Sequence, residues 1–188
     1  MTAGRSSRRR DTGFAVTCCA VLAAYNNVSG ERPWRGRWYM AANACATGAA
    51  LSAAAASGLT AAEIGLRRDA WLPGRLASGL AVGAAAGWLV IAVVPATRRL
   101  LDDKRITSLE GRAVVYQAAI RIPIGTVLWE EVAFRGVLQA ALRRVMPTGA
   151  AVALTSAVFG IWHVRPTAVA LRVNGLAGER RRARAGVR

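Results

Sequence analysis

Five apolar segments rich in alanine and glycine constrain the fold of this chain more than any other feature of its sequence. A helix needs about 20 predominantly apolar residues to cross a bilayer, and three of the segments reach that length. Over such lengths a helix satisfies its own backbone hydrogen bonds. The pattern predicts an all-α, polytopic transmembrane helix bundle of four or five spans. The segments cover residues 14–28, 39–59, 76–96, 122–142 and 148–164.

The polar stretches around these segments divide the chain into four parts. We predict a disordered basic N-terminal arm at 1–13 and N-terminal transmembrane helices over 14–75. A transmembrane core follows over 76–165, and a basic C-terminal tail occupies 166–188. The final stretch of the tail, 178–188, is predicted to be solvated because it is rich in arginine and has no apolar period.

The formal net charge of +16 raises the question of a nucleic-acid partner. The arginines lie between the apolar segments or in the terminal tails, where the loops of a membrane protein carry them. A basic groove with interleaved aromatic residues, which would indicate nucleic-acid binding, is not visible. We therefore predict the lipid bilayer as a partner, no nucleic-acid partner, and a multi-pass location in the cell membrane. The distribution of Lys and Arg leaves the topology open.

The first apolar segment follows a basic N-terminus, which is also the arrangement of a secretory signal peptide. Tyr25-Asn26-Asn27 then stands where the small residues of a cleavage site belong. We therefore favour a retained first span over a removable signal peptide.

The cysteines indicate neither a disulfide framework nor a metal site. Cys18, Cys19 and Cys45 are odd in number, lie within apolar segments and lack the spacings of either kind of site. We interpret them as reduced residues that contribute to packing.

Three charged residues lie in the middle of the apolar segment 122–142. Arginines at both of its ends can extend to the two interfaces, which places Glu130, Glu131 and Arg135 near mid-depth. Each such charge costs about 2.5–3.5 kcal/mol on insertion scales. Glu131 precedes Arg135 by four residues, the favourable order for an ion pair within a helix. Glu130 points about 100° away from Glu131, so its carboxylate needs a different partner.

His163, the only histidine of the chain, is the partner that the sequence offers to Glu130. A short turn joins the last two apolar segments, and in an antiparallel hairpin the two residues lie roughly 18 Å and 22 Å from that turn. Phe159 precedes His163 by one helical turn and can shape the same pocket. Glu130 is then placed to act as a general base for water, while His163 orients the water, holds an oxyanion or binds a metal. A buried ionic cluster that only packs helices is the alternative.

A self-contained zinc site is hard to build from these residues. Catalytic zinc takes three protein ligands, whereas the chain has one histidine and its cysteines are remote in sequence. The sequence therefore predicts no definite cofactor, with a divalent metal such as zinc as the alternative.

Two motifs resemble those of one protease family. Residues 130–136, EEVAFRG, resemble the EExxxR motif of the CAAX prenyl protease and bacteriocin-processing intramembrane proteases, also called the Abi family. Residues 159–163, FGIWH, resemble the second motif of that family, FxxxH. Both motifs occur in the family's order and in consecutive apolar segments, so 76–165 is interpreted as a CAAX-protease-like core.

The resemblance implies a hydrolase, an intramembrane endopeptidase that cleaves a membrane-associated peptide or protein substrate with an activated water. It implies that Glu130 activates the water and that Glu131 and Arg135 support it. It also implies that His163 lines the same cavity. The family is often described as a metalloprotease, although a mechanism driven by glutamate without a firmly bound metal is also argued for it.

The sequence departs from the family pattern after His163. The family continues with a second histidine followed by asparagine or aspartate, whereas this chain has no further histidine and Asn174 as its only candidate amide. We therefore expect a truncated or degenerate member with an incomplete site. The alternative function is a non-catalytic membrane protein of immunity or scaffold type. A proton-coupled transporter is disfavoured because the spans are few and no inverted repeat is visible.

Overall fold

The computed structural model describes residues 2–29, 33–66, 93–94 and 109–174, and these residues form helices joined by turns, with no strand among them. Helix α1 spans Thr2–Ser29. Helix α2 spans Pro33–Ala56 and is kinked at Trp38. The predicted all-α class is confirmed. Nearly all of the predicted span 76–96 and the basic end of the tail lie outside the described residues.

A long helical region over 111–143 follows, here called the composite helix because α-helical and π-helical hydrogen bonding alternate along it. Pro123 lies within the first π-helical segment, where it has no backbone N–H to donate. π-Helical turns inside helices are frequent at functional sites. The α-helical segments are Gly111–Tyr116, Leu128–Glu130 and Gln139–Arg143, and the π-helical segments are Gln117–Val127 and Glu131–Leu138.

A turn after Arg143 reverses the chain into helix α3, which spans Thr148–Trp162. The chain breaks its helical geometry at His163 and continues as helix α4 over Val164–Val173. The first part of the basic tail predicted over 166–188 is therefore helical. Residues 168–170 are half-buried and α4 packs against α1, which explains why this stretch is helical.

Helix α1 is central to the packing, since it contacts the second half of the composite helix, α3 and α4. Helix α2 packs against the composite helix from its first π-helical segment onward. The largest fully buried side chains are Trp162, Phe134, Leu138 and Asn43. The core therefore surrounds the part of the composite helix that carries Glu130.

No helix among the described residues is both long enough and apolar enough to cross a membrane, so the predicted bundle of four or five spans is not confirmed there. Helix α1 includes the charged run 8–11. Helix α2 owes its apolar character mainly to alanine, and α3 ends after 15 residues.

The predicted disordered arm at 1–13 also differs from the structure, because α1 begins at Thr2. Arginine is a good helix former, and extending an existing helix is easier than nucleating one. The Thr12 hydroxyl donates to the Arg8 carbonyl at 2.8 Å within this extension. Asp11 lies 3.8 Å from the Arg144 guanidinium, which gives the extension a tertiary contact.

Arg144 ties the turn after the composite helix to the turn after α2. Its Nε and Nη2 each donate to a carboxylate oxygen of Glu63 at 2.8 Å, and Nη2 also donates to the Gly58 carbonyl at 2.7 Å. The backbone N–H of Thr60 donates to Glu63 as well, at 2.8 Å. The hydrogen bonds from Arg144 and Thr60 lower the pKa of Glu63 to about 2.

Candidate active site

Glu130 lies at the centre of the candidate site, at the boundary between an α-helical and a π-helical segment of the composite helix. Its side chain is 16% exposed. Trp162 Nε1 donates to Glu130 Oε1 at 3.0 Å, and His163 Nε2 lies 3.7 Å from the same oxygen. Two consecutive residues at the end of α3 therefore converge on one carboxylate oxygen.

The hydrogen bonding of His163 defines its neutral tautomer. Its Nδ1 lies 2.9 Å from the Phe159 carbonyl oxygen, which can only accept a hydrogen bond. Nδ1 therefore carries the proton, and in the neutral ring Nε2 presents a lone pair toward Glu130. Nε2 and the carboxylate oxygen are then two acceptors that face each other across 3.7 Å. Such a pair suits a shared water or an added proton.

Phe159 contributes both its carbonyl and its ring to the site. The ring centroid lies 4.5 Å from that of His163 and 5.0 Å from that of Phe134, with which it makes an edge-on contact. Phe134 is fully buried, so the Phe159 ring has a fixed support. The residue therefore restrains the imidazole from two directions.

Glu131 and Arg135 form the ion pair that their spacing predicts, with Arg135 Nη1 donating to Glu131 Oε1. Their side chains are 47% and 60% exposed, so the pair lies on a more open face than Glu130. The Arg135 guanidinium carbon lies 5.9 Å from the centroid of the Phe159 ring. The structure thus connects this pair to the site through Phe159 and does not place Glu131 against His163.

Trp162 is the residue of the site that sequence reasoning missed. It is 2% exposed and stacks on Tyr25 of α1 with ring centroids 5.5 Å apart. Trp129 lies 5.8 Å from Tyr25 and 6.2 Å from Trp162 by the same measure. An indole N–H beside the motif histidine is a signal that the sequence contained, because a buried indole needs an acceptor.

An apolar cavity of about 350 Å³ lies between α1, α2 and the composite helix, and Tyr25 and Trp129 are part of its lining. Small residues of α2 and bulky residues of α1 line it, among them Ala50 and Leu22. The buried Trp129 Nε1 makes no hydrogen bond to any part of the chain that the structure describes. Tyr25 and Trp129 also contact Trp162, whose indole donates to Glu130. The same aromatic cluster therefore connects this cavity to the Glu130 carboxylate.

The residues of the site do not fit the metal that the metalloprotease description implies. Across the described ranges, no three His, Cys, Asp or Glu side chains are close enough together to hold a metal ion. Glu130 and His163 supply two donors, and Glu131 is engaged by Arg135. Catalytic zinc takes three protein ligands. Asn174, the only candidate amide after His163 in the described residues, donates to the Ala170 carbonyl within α4 at 3.0 Å.

Comparison with known proteins relates the segment that carries the site to one family. Residues 113–178 match the family model of the type II CAAX prenyl endopeptidases, Rce1-like. The matched segment includes both motifs, and the match confirms the resemblance drawn from them. No curated protein matches the chain significantly, and no solved structure does so either.

Proposed function

We propose, from the match of residues 113–178 to the Rce1-like CAAX prenyl endopeptidases, that this protein is an endopeptidase in which Glu130 activates a water. Members of that family are hydrolases of peptide bonds. The observation that supports the proposal most is the convergence of Trp162 Nε1 and His163 Nε2 on one oxygen of a largely buried glutamate. The substrate is proposed to be a membrane-associated peptide or protein.

The proposed reaction needs only groups that face Glu130. The carboxylate accepts a proton from water while the water oxygen forms a bond to the peptide carbonyl carbon. Protonated Glu130 then gives that proton to the leaving nitrogen as the carbon–nitrogen bond breaks. The products are a carboxylic acid and an amine, and the Glu130 carboxylate is regenerated. No step is assigned to a metal.

Trp162 and His163 have separate roles in this proposal. The hydrogen bond from Trp162 Nε1 fixes Oε1 of Glu130 and so sets the direction of the second carboxylate oxygen toward the water. His163 Nε2 accepts a hydrogen bond from the same water and orients it. The Phe159 carbonyl keeps the imidazole in the tautomer that can accept.

We further propose that the protein acts at the cell membrane, because the family to which residues 113–178 are similar consists of membrane proteins. The apolar cavity lined by Tyr25 and Trp129 gives an apolar part of a substrate a place near the carboxylate. Fractionation of cells that produce the full chain tests the location. Recovery in a carbonate-resistant membrane fraction is expected, and release into the soluble fraction contradicts it.

Cleavage of a membrane-tethered reporter peptide by the full chain in lipid nanodiscs tests the proposed activity. Glu130→Gln keeps the acceptor for Trp162 and removes the base, so we expect cleavage to fall about 100-fold or more. Thr12→Ala, far from the site on α1, is the control for production and folding. Equal cleavage by wild type and Glu130→Gln contradicts the proposal. A folded wild-type chain with no cleavage favours the non-catalytic immunity or scaffold alternative.

A further inference from the structure

Pro166, in the first turn of α4, accounts for part of the helix break at His163. In an uninterrupted α-helix the N–H of residue 166 donates to the carbonyl of Trp162, but proline has no N–H. Asn26 of α1 supplies a donor instead, with its Nδ2 at 3.3 Å from the Trp162 carbonyl oxygen. The end of α1 thus compensates for a hydrogen bond that the corner between α3 and α4 cannot make internally.

Asn27 completes this compensation with both atoms of its side-chain amide. In an uninterrupted helix the Arg165 N–H donates to the Ile161 carbonyl. Here the Arg165 N–H donates to Asn27 Oδ1 at 3.0 Å, and Asn27 Nδ2 donates to the Ile161 carbonyl at 2.8 Å. One side-chain amide therefore bridges the donor and the acceptor of a backbone helical pair.

Arg165 returns a hydrogen bond to α1. Its Nη1 donates to the backbone carbonyl of Asn27 at 2.6 Å, which satisfies a carbonyl near the C-terminal end of that helix. Asn27 Nδ2 also donates to the Ala23 carbonyl within α1 at 2.8 Å, which fixes the rotamer of the amide. Hydrogen bonds therefore run in both directions between α1 and the corner, and both segments lose them if they separate.

The break has a direct consequence for the candidate site. Consecutive side chains on an α-helix point about 100° apart, yet Trp162 and His163 both approach Glu130 Oε1. His163 has φ −92° and ψ −3°, and its N–H donates to the Gly160 carbonyl three residues back at 3.1 Å. This tightened turn brings two neighbouring side chains to one oxygen.

We infer that Asn27 is a positioning residue of the Glu130 site, which holds open the α3–α4 corner so that Trp162 and His163 converge on the carboxylate. The catalytic consequence of this inference rests on the proposed function. The geometric part does not, because it concerns only the conformation of the corner. Residue 27 lies outside the segment 113–178 that matches the family, so the family motifs do not account for it.

The single histidine of the chain makes the geometric part directly measurable. In the ¹⁵N-labelled full chain, every imidazole signal belongs to His163, and the two nitrogen shifts report which nitrogen carries the proton. Wild type is expected to show the proton on Nδ1, as its contact with the Phe159 carbonyl requires. Asn27→Ala is expected to shift both signals toward those of a solvent-exposed imidazole.

Two further variants separate positioning from general loss of structure. Asn27→Asp keeps an acceptor for the Arg165 N–H and loses the donor to the Ile161 carbonyl, so we expect His163 shifts between those of wild type and Asn27→Ala. Thr12→Ala removes a hydroxyl that donates to the Arg8 carbonyl within α1, and wild-type shifts are expected. Wild-type His163 shifts in folded Asn27→Ala overturn the inference, as do equal shifts in Asn27→Ala and Thr12→Ala. If Asn27→Ala does not fold, the comparison of Asn27→Asp with Thr12→Ala decides the same question.

Reporter cleavage by the same variants tests the catalytic consequence. Displacement of catalytic groups by about 1 Å can cost about 100-fold in rate, so Asn27→Ala is expected to lower kcat about 10- to 100-fold per folded molecule. A change in His163 shifts without cleavage by wild type contradicts the proposed function and leaves the positioning role supported. Wild-type kcat in a variant with altered shifts contradicts the catalytic consequence.

Discussion

The indole N–H of Trp162 donates to Glu130 Oε1 at 3.0 Å, across 32 positions of sequence. Both residues belong to the motif segments, yet only the carboxylate is part of a motif as the family pattern defines it. The indole is buried and has found its acceptor, as buried tryptophans usually do. Because the carboxylate is largely buried as well, each group supplies what the other requires.

Replacement of Trp162 by phenylalanine tests this hydrogen bond. The variant keeps a ring for Tyr25 to stack on and leaves a buried carboxylate oxygen without its donor. We expect a loss of about 1–3 kcal/mol in the free energy of unfolding and about a tenfold fall in reporter cleavage. Chemical denaturation and the cleavage assay measure the two effects.

Trp129→Phe is the matched control, because Trp129 is also buried but its Nε1 has no hydrogen-bond partner within the described ranges. Removing an unsatisfied donor is expected to cost less stability than removing a bonded one. Equal losses for the two variants argue against an energetic role for the hydrogen bond from Trp162.

The Arg144–Glu63 pair is expected to stabilise the protein in a pH-dependent manner. Hydrogen bonds lower the pKa of Glu63 from 4.5 to about 2, so the folded chain binds this proton less readily than the unfolded chain. The stabilisation is present in full above pH 4.5 and is lost as the pH falls toward about 2. Its size is limited by exposure, to about 0.2–1 kcal/mol.

Glu63→Gln measures this contribution through the midpoint of denaturation at pH 7 and at pH 3. The variant is expected to be less stable than wild type at pH 7, with a smaller difference at pH 3. Arg144→Lys is expected to lose part of the same stabilisation, because lysine cannot make the two-pronged contact. A difference that does not change with pH contradicts the assignment of the effect to Glu63.

Glu131 and Arg135 are expected to couple only weakly. Helical pairs of this spacing that face solvent contribute about 0.3–0.5 kcal/mol, and both side chains here are about half exposed. A double-mutant cycle with Glu131→Gln and Arg135→Gln measures the coupling by denaturation. A coupling of several kcal/mol contradicts the exposed arrangement and supports a pair buried at depth.

Gly125 is expected to tolerate alanine less well than an open helical position does. A Cβ at this position meets the sulfur of Met40, which must shift, and lies 3.5 Å from the ring of Tyr39. Its carbonyl also accepts from Asn43 Nδ2 at 2.6 Å, so the backbone has little room to move. The end of the Met40 side chain is flexible and can move aside, so we expect Gly125→Ala to lower the free energy of unfolding by only about 1 kcal/mol.

Gly149→Ala provides the opposite case for the same measurement. A Cβ there meets no atom within 4 Å, and alanine is the better helix former by about 1 kcal/mol. This variant is expected to be at least as stable as wild type. Gly125→Ala with a stability equal to that of Gly149→Ala contradicts the close packing of α2 on the composite helix.

Local spacing and residue type predicted a substantial part of this site. The interval of four residues predicted the ion pair of Glu131 with Arg135, and the hairpin geometry predicted that Glu130 and His163 lie near each other. Helix periodicity supports such inferences because it fixes relative direction over short intervals. The all-α class followed from the apolar segments for a similar reason.

Contacts between distant segments were beyond the reach of the same reasoning. Nothing in the spacing of Asn26 and Asn27 indicates that their amides bond to carbonyls near residue 162. Hydropathy also did not predict the helical N-terminal part of α1 or helix α4. It scores side chains and not the tendency of an existing helix to extend. The π-helical turns of the composite helix depend on tertiary packing, which a single sequence does not display.

The amide bridge of Asn27 has a consequence for the autonomy of the segment that carries both motifs. An excised fragment of residues 113–178 retains Glu130, Trp162 and His163, but it loses Tyr25 and the two asparagines that complete the corner. We therefore expect that the motif residues do not form this site without α1. Grafting them onto another scaffold requires that a neighbouring helix supply an equivalent amide.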